Sequence, residues 1–398
     1  MADDSPSGDE TPDPFKMFGS MGFLGDMMKA MGSQGPLNWD IATQFASLGA
    51  LGDTADAQPD PTVRFAYGDL ARVADMHVRD VSGLDTNVGG RATEILTTTR
   101  SEWARRTLRD FRPLFTDLAT SLAQRDDDVD TDGDPMAAMM ASLSGLMAPA
   151  MIGMTVGGMV GALAQRAFGQ YDFPLPRANS SELLLVPSTI ENFASDWSLA
   201  TDDVRMWVLI HELTSHAVLN TAAVEDGITD LVRRHVSLFK PDSSAVMDAL
   251  SGLDATSSDA LEHIQKVFSD PTLILGAVRS TAQEELAPLL DAHVAAVLAY
   301  IDHIVDHASH RVLGSGHTIA EAVRRRRLDA GKDAVFVERL LGLHLTRQQL
   351  ERGAEFIRGV IERGGDQAPA QLIQKVGNLP TPSELEAPGL WLARLEIQ

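Results

Sequence analysis

The sequence predicts a mainly α-helical domain with at most a small β-sheet, and two observations support this prediction. From Asp203 onward, apolar residues recur almost throughout at the spacing of helices. Only Ser181 to Pro187 (SELLLVP) has the short apolar run between polar and proline residues that is typical of a strand. The length of 398 residues and the hydrophobic content of 44% are sufficient for a sizeable core.

The first part of the chain is expected to begin with a disordered tail and continue into one large domain. Residues 1–14 are acidic and rich in proline, glycine and serine, so they have little apolar surface to bury. Helical spacing then indicates helices around Val63 to Val78 and around Ala92 to Leu122. An acidic loop is expected at 125–134, inside a single domain that extends over 15–398.

The composition limits the classes of function that are open to the chain. The formal net charge of −23 argues against a general affinity for nucleic acid or for anionic membranes. Cysteine is absent, so a bound metal would need histidine, carboxylate or neutral oxygen ligands. The acidic start lacks the pattern of a secretory signal, and we expect a cytoplasmic protein.

An uncharged, Met-, Gly- and Ala-rich run from Met136 to Gln165 is long enough to span a bilayer. Gly153, Gly157 and Gly161 have the spacing of closely packed helices. Pro149 interrupts the run, however, and no basic segment flanks it as an anchor. We therefore expect helices buried in a soluble core rather than a membrane span.

The main functional candidate lies in the amphipathic stretch from Asp202 to Asn220. It contains His211-Glu212-Leu213-Thr214-Ser215-His216, in which a glutamate directly follows the first histidine. In metal-dependent hydrolases with this arrangement, two histidines four residues apart bind the metal and the glutamate acts as general base. Here the two histidines are five residues apart, which places them about 140° apart around a regular helix.

Two interpretations of this spacing are open. A one-residue π-bulge would return His216 to the face of His211, and such bulges occur at functional sites. Alternatively, Ser215 occupies the position of the second ligand and the motif is degenerate. On a regular helix Ser215, not His216, shares a face with His211.

Six stretches spread over most of the chain resemble a known family. They are GPLNWDIA at 35–42, GQYDFPLP at 169–176, VRMWVLIHELTSHAVL at 204–219, RRRRLDAG from 324, ERLLGLHL from 338 and LPTPSELEAPGLWLARL at 379–395. The resemblance is to the zincin-like metallopeptidase type 2 family, also described as a hydrolase family associated with deazaflavin-coenzyme biosynthesis. It implies a zincin-like fold, and it places Ser215 where the family has its second histidine.

The resemblance also implies zinc as the metal, with a third ligand from a later helix. The segment Pro288 to His303 is similar to the family's glutamate- and histidine-containing segment, with Asp291 or His293 in the ligand position. The implied metal ligands are therefore His211, His216, and either His293 or Asp291. Separately, the basic run Arg324 to Arg327 is expected to pair with acidic side chains of the chain itself.

Two functions remain open from the sequence. One is a zinc-dependent hydrolase that acts on a peptide or protein substrate, with Glu212 activating water. The other is a catalytically inactive binding or scaffold protein that keeps the fold. The sequence predicts no nucleic-acid or membrane partner, and it gives no oligomeric state.

Overall fold

The computed structural model describes residues 35–52, 56–87, 89–123, 135–177, 180–239, 280–314, 316–328, 341–343 and 346–397, without side chains for 123–146 and 328. The tail expected at 1–14 and the acidic loop expected at 125–134 lie outside these residues. Within the described ranges the chain is mainly helical and carries one two-stranded sheet. The predicted mainly α-helical fold is confirmed, whereas the extent of the single domain stays a prediction.

The helices are labelled α1 to α13 in chain order. They are Trp39–Leu51, Pro61–Ser82, Arg100–Asp110, Arg112–Ala123, Pro135–Ala164, Pro187–Asp196, Thr201–Leu219, Asp230–Ser237, Thr281–Val312, Gly316–Leu328, Arg347–Gly364, Pro382–Glu386 and Pro388–Ile397. Shorter helical segments are a turn at Ala222–Val224, a π-helix at Glu225–Thr229 and 3₁₀ turns at Gln170–Asp172 and Ala368–Ile373.

The sheet consists of β1 (Glu94–Thr97) and β2 (Glu182–Leu185), which pair in parallel. The strand expected near Ser181 to Pro187 is therefore present. The helix expected from Ala92 to Leu122 is wrong in its first part, because the backbone of β1 bonds to a distant strand. Helix α3 begins only after Thr99, whose side chain accepts a hydrogen bond from the backbone N–H of Glu102 at 3.2 Å.

Helices α1 and α5 pack closely along a glycine stripe. A Cβ on Gly153 would lie 2.5 Å from the carbonyl oxygen of Asn38, and one on Gly161 would lie 2.7 Å from that of Ala46. A Cβ on Gly157 would collide with the backbone of Ala42. The glycines therefore allow backbone contact between two helices, which is the role their spacing predicted.

Among the residues that the structure describes, two helices are long and apolar enough to cross a membrane by length and composition alone. They are the Met147–Ala164 part of α5 and the whole of α9, Thr281–Val312. In the structure, half of the Met147–Ala164 segment is buried against the rest of the chain. Two thirds of α9 is buried in the same way. Helices packed in a protein core show burial of this kind. For α5 it covers only the part whose side chains are described.

Helix α7 lies at the centre of the molecule. Every residue from Met206 to Leu219 is buried, and the helix packs against α2, α6 and α9. The buried residues include the polar side chains of the motif, among them His211, Glu212 and Ser215. The turn at Gln170–Asp172 contacts both α7 and β2. The backbone N–H of Val186, just after β2, donates a hydrogen bond to the carbonyl of Phe168, just before the turn, at 2.8 Å. This turn and α7 together form the candidate site.

Candidate functional site

The candidate motif lies on a regular α-helix. Helix α7 is continuous from Thr201 to Leu219, and the π-helical segment at Glu225–Thr229 begins only after it ends. The bulge that would bring His216 to the face of His211 is therefore not present in α7. His211 and Ser215 line one cavity, and His216 is not among its lining residues.

The cavity has a volume of about 70 Å³ and lies between α3, α5, α7, α9, α10 and the 170–174 segment. Its walls combine apolar side chains with a group of arginines. The polar side chains that line it include those of His211, Ser215, Asp172, Arg166, Arg326 and Arg327. Glu212 does not contact the cavity, although it neighbours His211 in sequence.

His211 is held by partners on both ring nitrogens. Its Nε2 is 2.9 Å from a guanidinium nitrogen of Arg327, and its Nδ1 is 3.3 Å from Oε1 of Glu212. Arginine has only donors, so Nε2 of His211 must accept, and Nδ1 then carries the proton that faces Glu212. The ring also stacks on Trp207, with centroids 5.4 Å apart. The Nε2 lone pair of His211 is thus already engaged by Arg327.

Glu212 is fully buried beneath the 170–172 turn. Its Oε2 accepts a hydrogen bond from the backbone N–H of Tyr171 at 2.8 Å. A Cβ on Gly169 would overlap the carboxyl carbon of Glu212, so the glycine allows the chain to pass close to it. Burial raises the pKa of the Glu212 carboxyl, although the hydrogen bond with His211 acts in the opposite direction. In this arrangement Glu212 anchors a turn.

His216 points to a different set of partners. Its Nδ1 lies 2.9 Å from the hydroxyl of Tyr171 and 3.1 Å from the side-chain nitrogen of Asn220. Its Nε2 is buried and has no hydrogen-bond partner among the described residues. Burial lowers the pKa of His216 to about 4. A neutral, enclosed imidazole is the result.

Neither of the two residues considered for the third ligand lies with His211. His293 on α9 donates from Nδ1 to the carbonyl of Gly227 at 3.1 Å, and burial lowers its pKa. Asp291, half-buried on the same helix, does not line the cavity either. The residue of α9 that does so is Leu298. Among the described residues, no group of three or more His, Asp or Glu side chains is arranged to hold a metal ion.

The sequence singled out the basic run Arg324 to Arg327, but not the contact that Arg327 makes with His211. Three members of the basic run pair with acids of the chain, as expected: Arg324 with Asp306 at 3.0 Å, Arg325 with Glu321 at 2.9 Å and Arg327 with Asp302 at 3.7 Å. The additional contact of Arg327 with His211 joins residues that are 116 positions apart. No spacing rule within one helix could have revealed it.

Comparison with known proteins relates the chain to one family. A family model described as zincin-like metallopeptidase matches residues 37–392. A crystal structure from Chloroflexus aurantiacus, provisionally described as a hydrolase with a novel fold, superposes with a TM-score of 0.58. The two chains are 20% identical, and the match covers 91% of this chain and 99% of the other, so it shows a shared fold. No curated protein matches the chain significantly.

Proposed function

The chain belongs to the zincin-like metallopeptidase family, whose function is of the metallohydrolase type, and we propose that this member is a binding protein without zinc-dependent activity. In this proposal the fold of the family is retained, and the cavity beside His211 has become a binding pocket. Peptide hydrolysis is not its function.

The observation that carries the proposal is the hydrogen bond from Arg327 to Nε2 of His211, 2.9 Å long. A zinc ion bound by this histidine at Nε2 would need the same lone pair. A guanidinium remains protonated in proteins and offers only donors, so it competes with a cation for that position. The charge of Arg327 would also repel the metal.

The other residues of the motif do not supply a zinc site either. Ser215, in the position four residues after His211, offers a neutral hydroxyl, which is not among the usual ligands of zinc in proteins. His216 is enclosed with Tyr171 and Asn220. Asp291 and His293 lie away from the cavity. The described residues therefore do not fit a zinc ion.

Metal analysis of the natural protein, purified without added metal, tests this proposal. We expect zinc far below one equivalent per chain, and no peptidase activity after zinc is added. His216→Ala serves as the matched variant, and it should leave the metal content unchanged. One equivalent of zinc in the natural protein, lost in His211→Ala or His216→Ala, would overturn the proposal.

The second candidate is a hydrolase that acts on a peptide or protein substrate, with Glu212 as general base. It is favoured by the buried carboxyl of Glu212, whose Oε1 lies 3.3 Å from Nδ1 of His211. Burial raises the pKa of this carboxyl, as is common for catalytic acids and bases. Hydrolysis of a peptide library by the natural protein, abolished by Glu212→Gln, would favour this candidate.

A further inference from the structure

The cavity beside His211 is strongly cationic in a chain of net charge −23. Three arginines line it: Arg166, Arg326 and Arg327. Asp172 is the only carboxylate among its lining residues that the structure describes. Its Oδ2 already accepts the backbone N–H groups of Phe168 and Gly169, the latter at 2.9 Å. The lining therefore has an excess of positive charge.

Arg166 and Arg326 differ from the other arginines of this region in their partners. Each donates a hydrogen bond to the backbone carbonyl of the other, with Arg166 to Arg326 at 2.9 Å. Neither forms an ion pair with a carboxylate in the described ranges, whereas Arg324, Arg325 and Arg327 all do. Two guanidinium groups at one cavity are thus left with donors for an external anion.

Arg326 is also fixed in place before any ligand arrives. Its guanidinium lies 3.8 Å from the ring centroid of Phe168 and 5.4 Å from that of Phe193. Burial lowers its pKa to about 10, with partial compensation from Asp172, so it stays charged at neutral pH. A stacked and partly desolvated arginine loses little entropy when it binds a planar anion.

The remaining walls of the cavity are mostly apolar. They are formed by Trp103, Leu163, Phe173, Pro174, Leu298, Val323 and Leu350. The volume of about 70 Å³ corresponds to about five water molecules. Apolar walls with a few convergent polar groups are typical of small-molecule sites. The nearby charge of Asp172 favours a ligand with one negative charge over one with two.

We propose that this cavity binds a small organic carboxylate with a short apolar body, whose oxygens pair with Arg166 and Arg326. Arginine forks match the two oxygens of a carboxylate, and the apolar walls enclose the hydrocarbon part. The inference deepens the proposed binding function and rests on it, because it names the ligand class of the same pocket.

Calorimetric titration of the full-length protein at pH 7 tests the ligand class. The probes are isovalerate, its neutral counterpart isovaleramide, and inorganic phosphate. Isovalerate should bind with one site per chain, and the amide at least about tenfold more weakly, because it lacks the charge that the arginines recognise. Absence of isovalerate binding, equal binding of the amide, or tighter binding of phosphate would each overturn the inference.

Variants locate the site. Arg326→Gln and Arg166→Gln should each weaken isovalerate binding by about tenfold or more. The matched control is Arg325→Gln, next in sequence but paired with Glu321 outside the cavity, and it should leave the affinity unchanged. Arg166→Gln keeps the test valid if Arg326→Gln does not fold. An equal effect of all three variants would contradict the proposed location.

The zinc content of the same samples separates this inference from the proposed function. If the protein contains zinc and its isovalerate binding still depends on Arg166, the carboxylate site stands and the metal-free proposal is overturned. Zinc-free protein that does not bind isovalerate would overturn the carboxylate site alone.

Discussion

Arg327 on α10 and His211 on α7 are joined by a hydrogen bond of 2.9 Å that ends on Nε2 of the imidazole. The same guanidinium lies 3.7 Å from Asp302 on α9, so it links three helices at the cavity. A positive charge is thus present at the imidazole nitrogen that a zinc ion would use. The contact orients the ring of His211 without a metal.

The first prediction concerns a double variant designed to restore zinc binding to the motif. Ser215→His restores the four-residue spacing, and Arg327→Gln removes the competing cation. We expect the double variant to bind zinc about two orders of magnitude more tightly than the natural protein, because it gains a ligand on the cavity face. Competition with a chromogenic zinc chelator measures this.

The control for this experiment is His216→Ala in the double variant, which should leave its zinc affinity unchanged. His216 faces Tyr171 and Asn220, so it should not contribute to the new site. If His216→Ala instead removes zinc, the helix has rearranged and the present geometry is not the metal-binding one.

Local periodicity predicted the central helix and its faces, but not the contacts that give the site its character. The 3.6-residue turn was sufficient to place Ser215 beside His211, because α7 is regular. It could not anticipate Arg327, which reaches His211 through the packing of α10. It also failed at Glu94–Thr97, where pairing with Glu182–Leu185 overrides a locally helical pattern.

The close packing of α1 on α5 gives the second prediction. Gly157→Ala should lower the free energy of unfolding by about 1–3 kcal/mol, because the added methyl collides with the backbone of Ala42. Gly158→Ala is the matched control on the same helix. Its added methyl meets no other atom within 4 Å, and alanine is the better helix former.

Urea denaturation of the two variants measures the difference. Gly158→Ala should leave stability unchanged or raise it by up to about 1 kcal/mol. Equal destabilisation by the two substitutions would show that α1 does not pack on this face of α5.

The turn over Glu212 gives the third prediction. Gly169→Ala should destabilise the fold by about 1–3 kcal/mol, because its methyl would occupy the position of the Glu212 carboxyl. The loss should be smaller when the substitution is made in a Glu212→Ala background, where the collision is absent. A double-mutant cycle from thermal unfolding provides the coupling energy. Additive effects would contradict the contact.

Burial of His216 gives the fourth prediction, on the dependence of stability on pH. The pKa of His216 falls from 6.5, its ordinary value, to about 4 in the folded protein. As pH falls below 6.5, the unfolded chain takes up a proton here that the folded chain does not. His216 therefore contributes about 3 kcal/mol to the free energy of unfolding. This contribution is fully present above pH 6.5 and is lost as pH falls towards 4.

A comparison of the natural protein with His216→Gln isolates this contribution, because the other titrating groups are common to both. Burial also lowers the pKa of His293 and His303, and their contributions cancel in the difference. Between pH 6.5 and 4 the natural protein should lose about 3 kcal/mol more than the variant in urea denaturation. Parallel pH profiles of the two proteins would show that the imidazole of His216 is solvated rather than enclosed beneath Tyr171.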